Sequence, residues 1–210
     1  MWQVKIIMYN QGKSYDKIAD GFDKMRDSFN TEQKYLDALI NYIPEKSHIL
    51  DIGCGSGFPI ANYFIEKGFQ ITGIDGSQAL LNIAKKKYEK MRCLYGDIRT
   101  IELNETFDAI VEWWCLFHLP KLDHEKMIAR FSEWLKPGGM LEFTSGNSEF
   151  EGTDNNMLEQ ELNFYSLSPI VYEQYLEKYG FEILLKESDQ ENHLVWIAKK
   201  NNLPEKSVIR

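Results

Sequence analysis

One stretch constrains this chain more than any other: Ile49-Leu50-Asp51-Ile52-Gly53-Cys54-Gly55-Ser56-Gly57. A short apolar run meets an acid and then three glycines at alternate positions. Phe58 to Ile65 follows with the apolar spacing of a helix packed on a sheet. Strand, glycine turn and helix open a nucleotide-binding crossover unit, in which glycines permit a tight turn and let a ligand reach the backbone. The amides at the start of such a helix favour an anionic group. A tight connection with no ligand is the plain alternative. The acid at the strand end, and a second strand-acid pair further on, weigh against it.

The rest of the chain repeats the alternation. Strands are predicted at Ile49–Ile52, Gln70–Asp75, Met91–Asp97, Phe107–Glu112 and Met140–Thr144. Helices are predicted between them, from about Phe58 to Lys67, Gln78 to Tyr88 capped by Ser77, and Asp123 to Trp134 stopped by Pro137-Gly138-Gly139. Such alternation predicts a parallel sheet with right-handed crossovers and helices on both faces. Before it, Ser14 or Asp16 caps a helix that turns Ile18, Phe22, Met25 and Phe29 to one side. Thr31 opens a second helix carrying Tyr35, Leu36, Leu39 and Ile40 inward, ended by Pro44.

After Ser145 the pattern changes. Gly146 to Leu167 is polar with few aliphatic anchors and reads as a surface excursion, an insertion or lid. Ser168-Pro169 opens a helix through Tyr179, and Phe181–Lys186 with His193–Lys199 reads as an antiparallel hairpin. The tail from Asn201 reads as frayed. The expected organisation is one domain over 1–210: a helical cap at 1–47, a ligand-binding core at 48–145, the insertion at 146–167, and a closing helix and hairpin at 168–200.

Composition narrows the partners. Net charge is −8 and the isoelectric point about 5.1, which disfavours a nucleic-acid backbone. Lys85-Lys86-Lys87, Lys90 and Arg92 read as a solvated helix face. No apolar run approaches a membrane span, and Met1 to Asn10 is too interrupted for a signal peptide. Cys54, Cys93 and Cys115 show no paired spacing and suggest reduced thiols in a cytoplasmic protein. His48, His118, His124 and His193 show no local metal-ligand pattern, so no metal is expected.

Asp75 ends the second strand, eighteen positions beyond Gly57. An acid there accepts hydrogen bonds from both hydroxyls of a ribose held over the glycine turn. Asp97, after Gly96, stands ready for the next part of the same ligand. Asp51, Asp75, Asp97 and Glu112 all fall at or near strand carboxyl ends, where open parallel sheets bind ligands.

Asp51-Ile52-Gly53-Cys54-Gly55-Ser56-Gly57, followed by Gly73-Ile74-Asp75, Gly96-Asp97, Phe107-Asp108-Ala109-Ile110 and Leu135-Lys136-Pro137-Gly138-Gly139, resembles the class I S-adenosylmethionine-dependent methyltransferases. The resemblance runs from about Tyr15 to Lys199. It implies an α/β, Rossmann-like fold with a mostly parallel seven-stranded sheet and a C-terminal antiparallel hairpin. It also implies S-adenosyl-L-methionine as cofactor and S-adenosyl-L-homocysteine as product. The backbone around Gly53, Cys54 and Gly55 would line the methionine part, with Asp51 supporting the turn. Asp75 would bind the ribose diol, Gly76 and Ser77 would border the adenine, Asp97 would meet its amino group and Ile98 its ring. Glu112 and Trp113 would stand beside the transferable methyl, and Tyr15 would reach the methionine end.

The fourth strand ends in Glu112-Trp113-Trp114-Cys115 and departs from the Asn/Asp-Pro-Pro-Tyr/Phe box of enzymes that methylate nucleic-acid bases. A small-molecule acceptor is therefore expected, enclosed by the first helices and the excursion, with no nucleic-acid or membrane partner and a monomer or homodimer as the assembly. Trp113 can meet a cation by its ring face, and Trp114 reads as core. His118 has two readings, a general base for an acceptor that must lose a proton or a helix-start histidine packed beneath Leu119-Pro120. Two other classes stay open. A nicotinamide-dependent oxidoreductase would share the glycines and the ribose acid, but with Gly-x-Gly-x-x-Gly spacing. A non-catalytic binding or scaffold protein would share the fold itself.

Overall fold

A computed structural model describes residues 11–29 and 31–202. The readings of Met1 to Asn10 and of the last eight residues lie outside that range. In chain order the elements are helices α1 (Gly12–Met25) and α2 (Glu32–Leu39), strand β1 (His48–Ile52), α3 (Ile60–Glu66), β2 (Gln70–Asp75), α4 (Gln78–Lys87), β3 (Arg92–Tyr95), β4 (Phe107–Glu112), α5 (Lys121–Trp134), β5 (Leu135–Gly146), β6 (Phe150–Met157), β7 (Gln160–Ser166), α6 (Pro169–Lys178), β8 (Phe181–Ser188) and β9 (His193–Lys200).

Seven strands form one sheet in the order β3-β2-β1-β4-β5-β9-β8. The first five run parallel, and β9 and β8 add antiparallel. This is the expected Rossmann-like α/β sheet with its closing hairpin. Successive residues of β1 point to opposite faces, so Ile49 enters one core and Leu50 the other. One core packs Leu36, Leu39, Phe64 and Leu81 on the sheet; the other packs Phe131, Phe143, Tyr172 and Trp196. Strand order reverses around β1, between β2 and β4, which opens a crevice at their carboxyl ends.

Several boundaries move for physical reasons. Helix α1 starts at Gly12, and neither Ser14 nor Asp16 caps it. Asp16 instead accepts from the Ser77 hydroxyl at 2.7 Å and the Ala79 amide at 2.9 Å, placing a carboxylate at the start of α4. Ser77 caps α4 as expected, accepting from the Leu80 amide at 3.2 Å. Met25, read as part of a buried face, is 56% exposed. Strand β5 begins at Leu135 and runs through the Pro-Gly-Gly segment, with a register shift against β4. The lysines of α4's last turn are exposed.

The segment read as an irregular excursion is a regular hairpin of β6 and β7. Its turn uses Leu158 and Glu159 at φ 50° and 62°, so no Asn or Gly marks it in the sequence. Leu162 is its buried aliphatic anchor. Leu158 fits against Gly21 of α1, where an added Cβ would meet the leucine at 2.8 Å.

Trp196 joins the closing hairpin to the sheet. Its ring stacks on Phe143 with centroids 5.6 Å apart, and its Nε1 donates to the Ser145 hydroxyl at 2.9 Å. Trp196→Ala is expected to cost about 3–5 kcal/mol through the cavity it leaves. The check is a urea unfolding curve; a loss below about 1 kcal/mol would mean the hairpin is not anchored there.

Candidate active site

A cavity of about 320 Å³ lies at the carboxyl ends of β1, β2 and β4 and is covered by α1 and the β6–β7 hairpin. Tyr15, Asp51, Gly53, Cys54, Gly55, Asp75, Gly76, Asp97, Ile98, Trp113 and His118 all line it. Ser77 and Glu112, the other two residues singled out in the sequence, do not.

The glycine turn needs its glycines most at Gly53. Its φ is 71°, and a Cβ there would lie 2.5 Å from that of Cys115. Asp75 then holds the turn. Its Oδ2 accepts from the Gly55 amide at 2.8 Å and its Oδ1 from the Ser77 amide at 2.7 Å. Burial raises its pKa to about 6, with those two amide bonds working the other way. Each oxygen keeps a lone pair for a further donor. Asp51 is 2% exposed, and its Oδ2 has no hydrogen-bond partner among the described residues. Burial and the neighbouring Asp75 and Glu112 carboxyls raise it to about 8, against the pull of Arg26. Burial also pushes the Cys54 and Cys115 thiols up, which leaves them protonated and unreactive.

Asp97 is gripped by Arg99, whose Nε donates to Oδ1 at 2.9 Å and to Oδ2 at 3.1 Å. Burial would raise this carboxyl, but the arginine's hydrogen bonds and charge outweigh it and hold the pKa low. Glu112 is a correction. It is fully buried under the turn after β4, where its Oε1 accepts from the Cys115 and Leu116 amides, both at 2.6 Å. Its Oε2 accepts from the Thr144 amide at 3.3 Å. A strand-end acid serves backbone amides as readily as a ligand, and here the amides take it. Ser77 is likewise spent on capping α4.

His118 ends a 3-10 turn, Leu116–His118, just before α5. It is packed, being 8% exposed, yet it lines the cavity. Its Nδ1 lies 3.0 Å from the Asn163 carbonyl of β7, which only accepts, so we assign the proton to Nδ1. Nε2 is then free to accept from the Tyr15 hydroxyl at 2.9 Å. Gln11 ties α1 to the hairpin by donating to the same carbonyl at 2.7 Å. Burial lowers the His118 pKa to about 4, so the ring is neutral near pH 7, and it raises the Tyr15 phenol.

The two tryptophans exchange the roles their order suggested. Trp113 is buried against Tyr35. Trp114 meets the cation: the Arg26 guanidinium lies over its ring at 5.1 Å. Arg26, Gln11, Phe117 and Phe164 were not legible as one site, because α1, the turn after β4 and the hairpin meet only in space. From the hairpin, Asn163 contributes its carbonyl and Phe164 lines the cavity.

A family model described as a methyltransferase domain matches residues 49–139, the glycine turn through the start of β5. An uncharacterized methyltransferase of Oceanobacillus iheyensis is 28% identical over 204 residues, covering 90% of this chain and 92% of its own. Over residues 49–139 the chain carries a methyltransferase domain. A ubiquinone biosynthesis O-methyltransferase of Coxiella burnetii is 32% identical over 124 residues, which span 56% of this chain and 50% of that one. The Burkholderia thailandensis 1,6-didemethyltoxoflavin-N1-methyltransferase, solved with 1,6-didemethyltoxoflavin and S-adenosylhomocysteine, shares the fold at TM-score 0.71 and 18% identity, covering 91% of this chain and 87% of its own.

The cofactor of this methyltransferase is S-adenosylmethionine, and the residues present fit it. The unpartnered, buried Asp51 oxygen suits a cationic ligand end, and the turn at Gly53 and Gly55 leaves room a side chain would fill. The spare lone pairs of Asp75 suit a ribose diol. Asp75 accepts those donors best when ionised, so lower pH opposes binding. The Asp75 contribution to S-adenosylhomocysteine affinity is expected to be full above about pH 7 and to be lost as pH drops through about 6, below a separate step from Asp51 near pH 8. Asp75→Asn should cost about 1.5–3 kcal/mol of affinity and remove that pH dependence. Calorimetry showing wild-type affinity in the folded variant would take Asp75 out of the site.

Proposed function

We propose that this methyltransferase methylates a small molecule enclosed between α1 and the β6–β7 hairpin, by in-line displacement. The observation that carries the reading is that the glycine turn and the Tyr15–His118 pair line one covered cavity. A macromolecular acceptor would ask for an open complementary surface, and the net charge of −8 suits nucleic acid poorly. The relatives named for small-molecule methylation are in keeping with it.

Asp75 would hold the ribose, Gly76 and Ile98 the adenine with Asp97, and the backbone of Gly53 to Gly55 with Asp51 the methionine end. The bound cofactor supplies a methyl group already activated on a sulfonium, so the protein's task is to place a nucleophile in line and exclude water. The aromatic side chains of Phe22, Phe117 and Phe164 do the excluding. When the acceptor must lose a proton, Tyr15 passes its hydroxyl proton to His118 Nε2 and takes the acceptor's in return. The Asn163 carbonyl keeps the ring in the tautomer that can accept it.

S-adenosylhomocysteine at a hundred times its dissociation constant should stabilise the protein by about 2.7 kcal/mol in a melting scan, and NAD should not. A shift with NAD alone would overturn the reading. With the acceptor found by screening for S-adenosylhomocysteine release, His118→Ala should lower kcat by roughly a hundredfold or more while leaving cofactor affinity within about twofold. The wild-type rate should be flat near neutral pH and decline towards pH 4, because His118 protonates there. An unchanged kcat in the variant would leave His118 as packing.

A further inference from the structure

The part of the cavity around His118 carries no charge. Five charged side chains line the cavity as a whole: Arg26, Asp51, Asp75, Asp97 and Arg99. Arg26 acts on Asp51 at the methionine end, Asp75 holds the glycine turn, and Asp97 and Arg99 grip each other. Around His118 the lining is Gln11, Phe117, Leu119, Met157 and Phe164. Burial, opposed by the bond to the Asn163 carbonyl, sets the His118 pKa, and no charged side chain contributes. Phe117 and Phe164 stand with centroids 5.3 Å apart, at 4.6 Å and 5.0 Å from the His118 ring. A charged acceptor would be desolvated there without a partner, whereas a flat uncharged ring meets other rings.

Tyr15 joins this aromatic part to the cofactor part. After burial, the groups whose charge acts on its phenol are Cys115, Asp75 and Arg26, at the glycine turn and the methionine end. On its other side the hydroxyl donates to His118 Nε2 at 2.9 Å. With that proton committed, the Tyr15 oxygen can only accept from whatever faces it in the cavity. The ligand group opposite is therefore a donor. The base behind Tyr15 narrows that group further. His118, lowered by burial to about 4, takes a proton readily only from an acidic hydroxyl. A hydroxyl on an aromatic ring, at about 10, is far more acidic than one on an alkyl chain.

We propose that the acceptor is an uncharged phenol, its ring against Phe117 and Phe164 and its hydroxyl donating to the Tyr15 oxygen. The phenol oxygen forms the bond to the methyl carbon as the carbon–sulfur bond breaks, and the electron pair of that bond stays on sulfur. The phenol proton passes to Tyr15 as the proton of Tyr15 passes to His118 Nε2, so the positive charge of the sulfonium ends on the imidazolium. Phe117 and Phe164 are then specificity-determining residues that select a flat, neutral ring. The inference rests on the cavity being the methyltransferase site proposed above, and it names the acceptor class for that site.

The test is calorimetry on the S-adenosylhomocysteine-loaded protein with phenol and four probes that each change one property. Fluorobenzene lacks the donor, aniline puts an amine in place of the hydroxyl, cyclohexanol lacks the flat ring, and para-hydroxybenzoate adds a charge. Phenol should bind about fivefold tighter than each of the first three and about tenfold tighter than para-hydroxybenzoate. Tyr15→Phe should bind phenol no better than fluorobenzene. Phe164→Ala should lose most of the preference for phenol over cyclohexanol and keep that over fluorobenzene. Wild-type protein that binds fluorobenzene or cyclohexanol as tightly as phenol overturns the proposal, and that comparison needs no variant to fold. Equal or tighter binding of aniline points to an amine acceptor and overturns it, as does equal or tighter binding of para-hydroxybenzoate, which points to an acid. A folded Tyr15→Phe that keeps the whole preference for phenol over fluorobenzene overturns it too. Wild-type protein that takes up no S-adenosylhomocysteine at all fails the underlying reading instead, and the first titration, made before any probe is added, shows which has failed.

Discussion

The carboxylate of Asp75 is the joint on which the rest of the site depends. One oxygen holds the Gly55 amide and the other the Ser77 amide, so the turns after β1 and β2 are tied by a single side chain. The line continues, because Ser77 donates through its hydroxyl to Asp16 of α1. Glycine turn, strand end, helix start and covering helix are thus one hydrogen-bonded series. Charge-assisted bonds of this kind are shorter and stronger than neutral ones, so the series can set the width of the cavity.

Glu112 does for β4 what Asp75 does for β2, but without access to the cavity. By accepting three backbone amides it folds the chain after β4 into the turn that carries Trp113, Trp114 and Cys115. Cys115 then packs on Gly53 so closely that no side chain fits there. Two strand-end acids of similar sequence context therefore divide the work, one partly free for a ligand and one wholly spent on the scaffold. Burial raises both, to about 6 and about 7. Their difference lies in their partners and not in their acidity.

The cover over the cavity comes from two segments distant in sequence. Tyr15 of α1 donates to His118 Nε2, and the Asn163 carbonyl of β7 accepts from His118 Nδ1 and from Gln11, the residue before α1. Leu158 at the hairpin tip lies on Gly21 of α1. A neutral imidazole is held at the centre of these contacts by burial, its two nitrogens differentiated by one carbonyl and one phenol. The surroundings of His118 are thus set by elements outside the parallel sheet.

What the sequence alone determined is what local chemistry determines. Alternating strands and helices, glycines where a turn needs them, and acids at strand ends are short-range patterns, so the sheet, its closing hairpin and the glycines and acids that line the cavity at the strand ends were legible from them. The β6–β7 hairpin was not, since its turn adopts positive φ without Asn or Gly and its strands are mostly polar. Tertiary structure alone decided which acids face the cavity and which serve amides, because both kinds end strands in the same way. It also decided that Trp114 and not Trp113 carries the cation, and that Arg26, Gln11 and Asn163 belong to the same site as His118. Those relations depend on residues more than forty positions apart meeting in space, and no local pattern encodes the meeting.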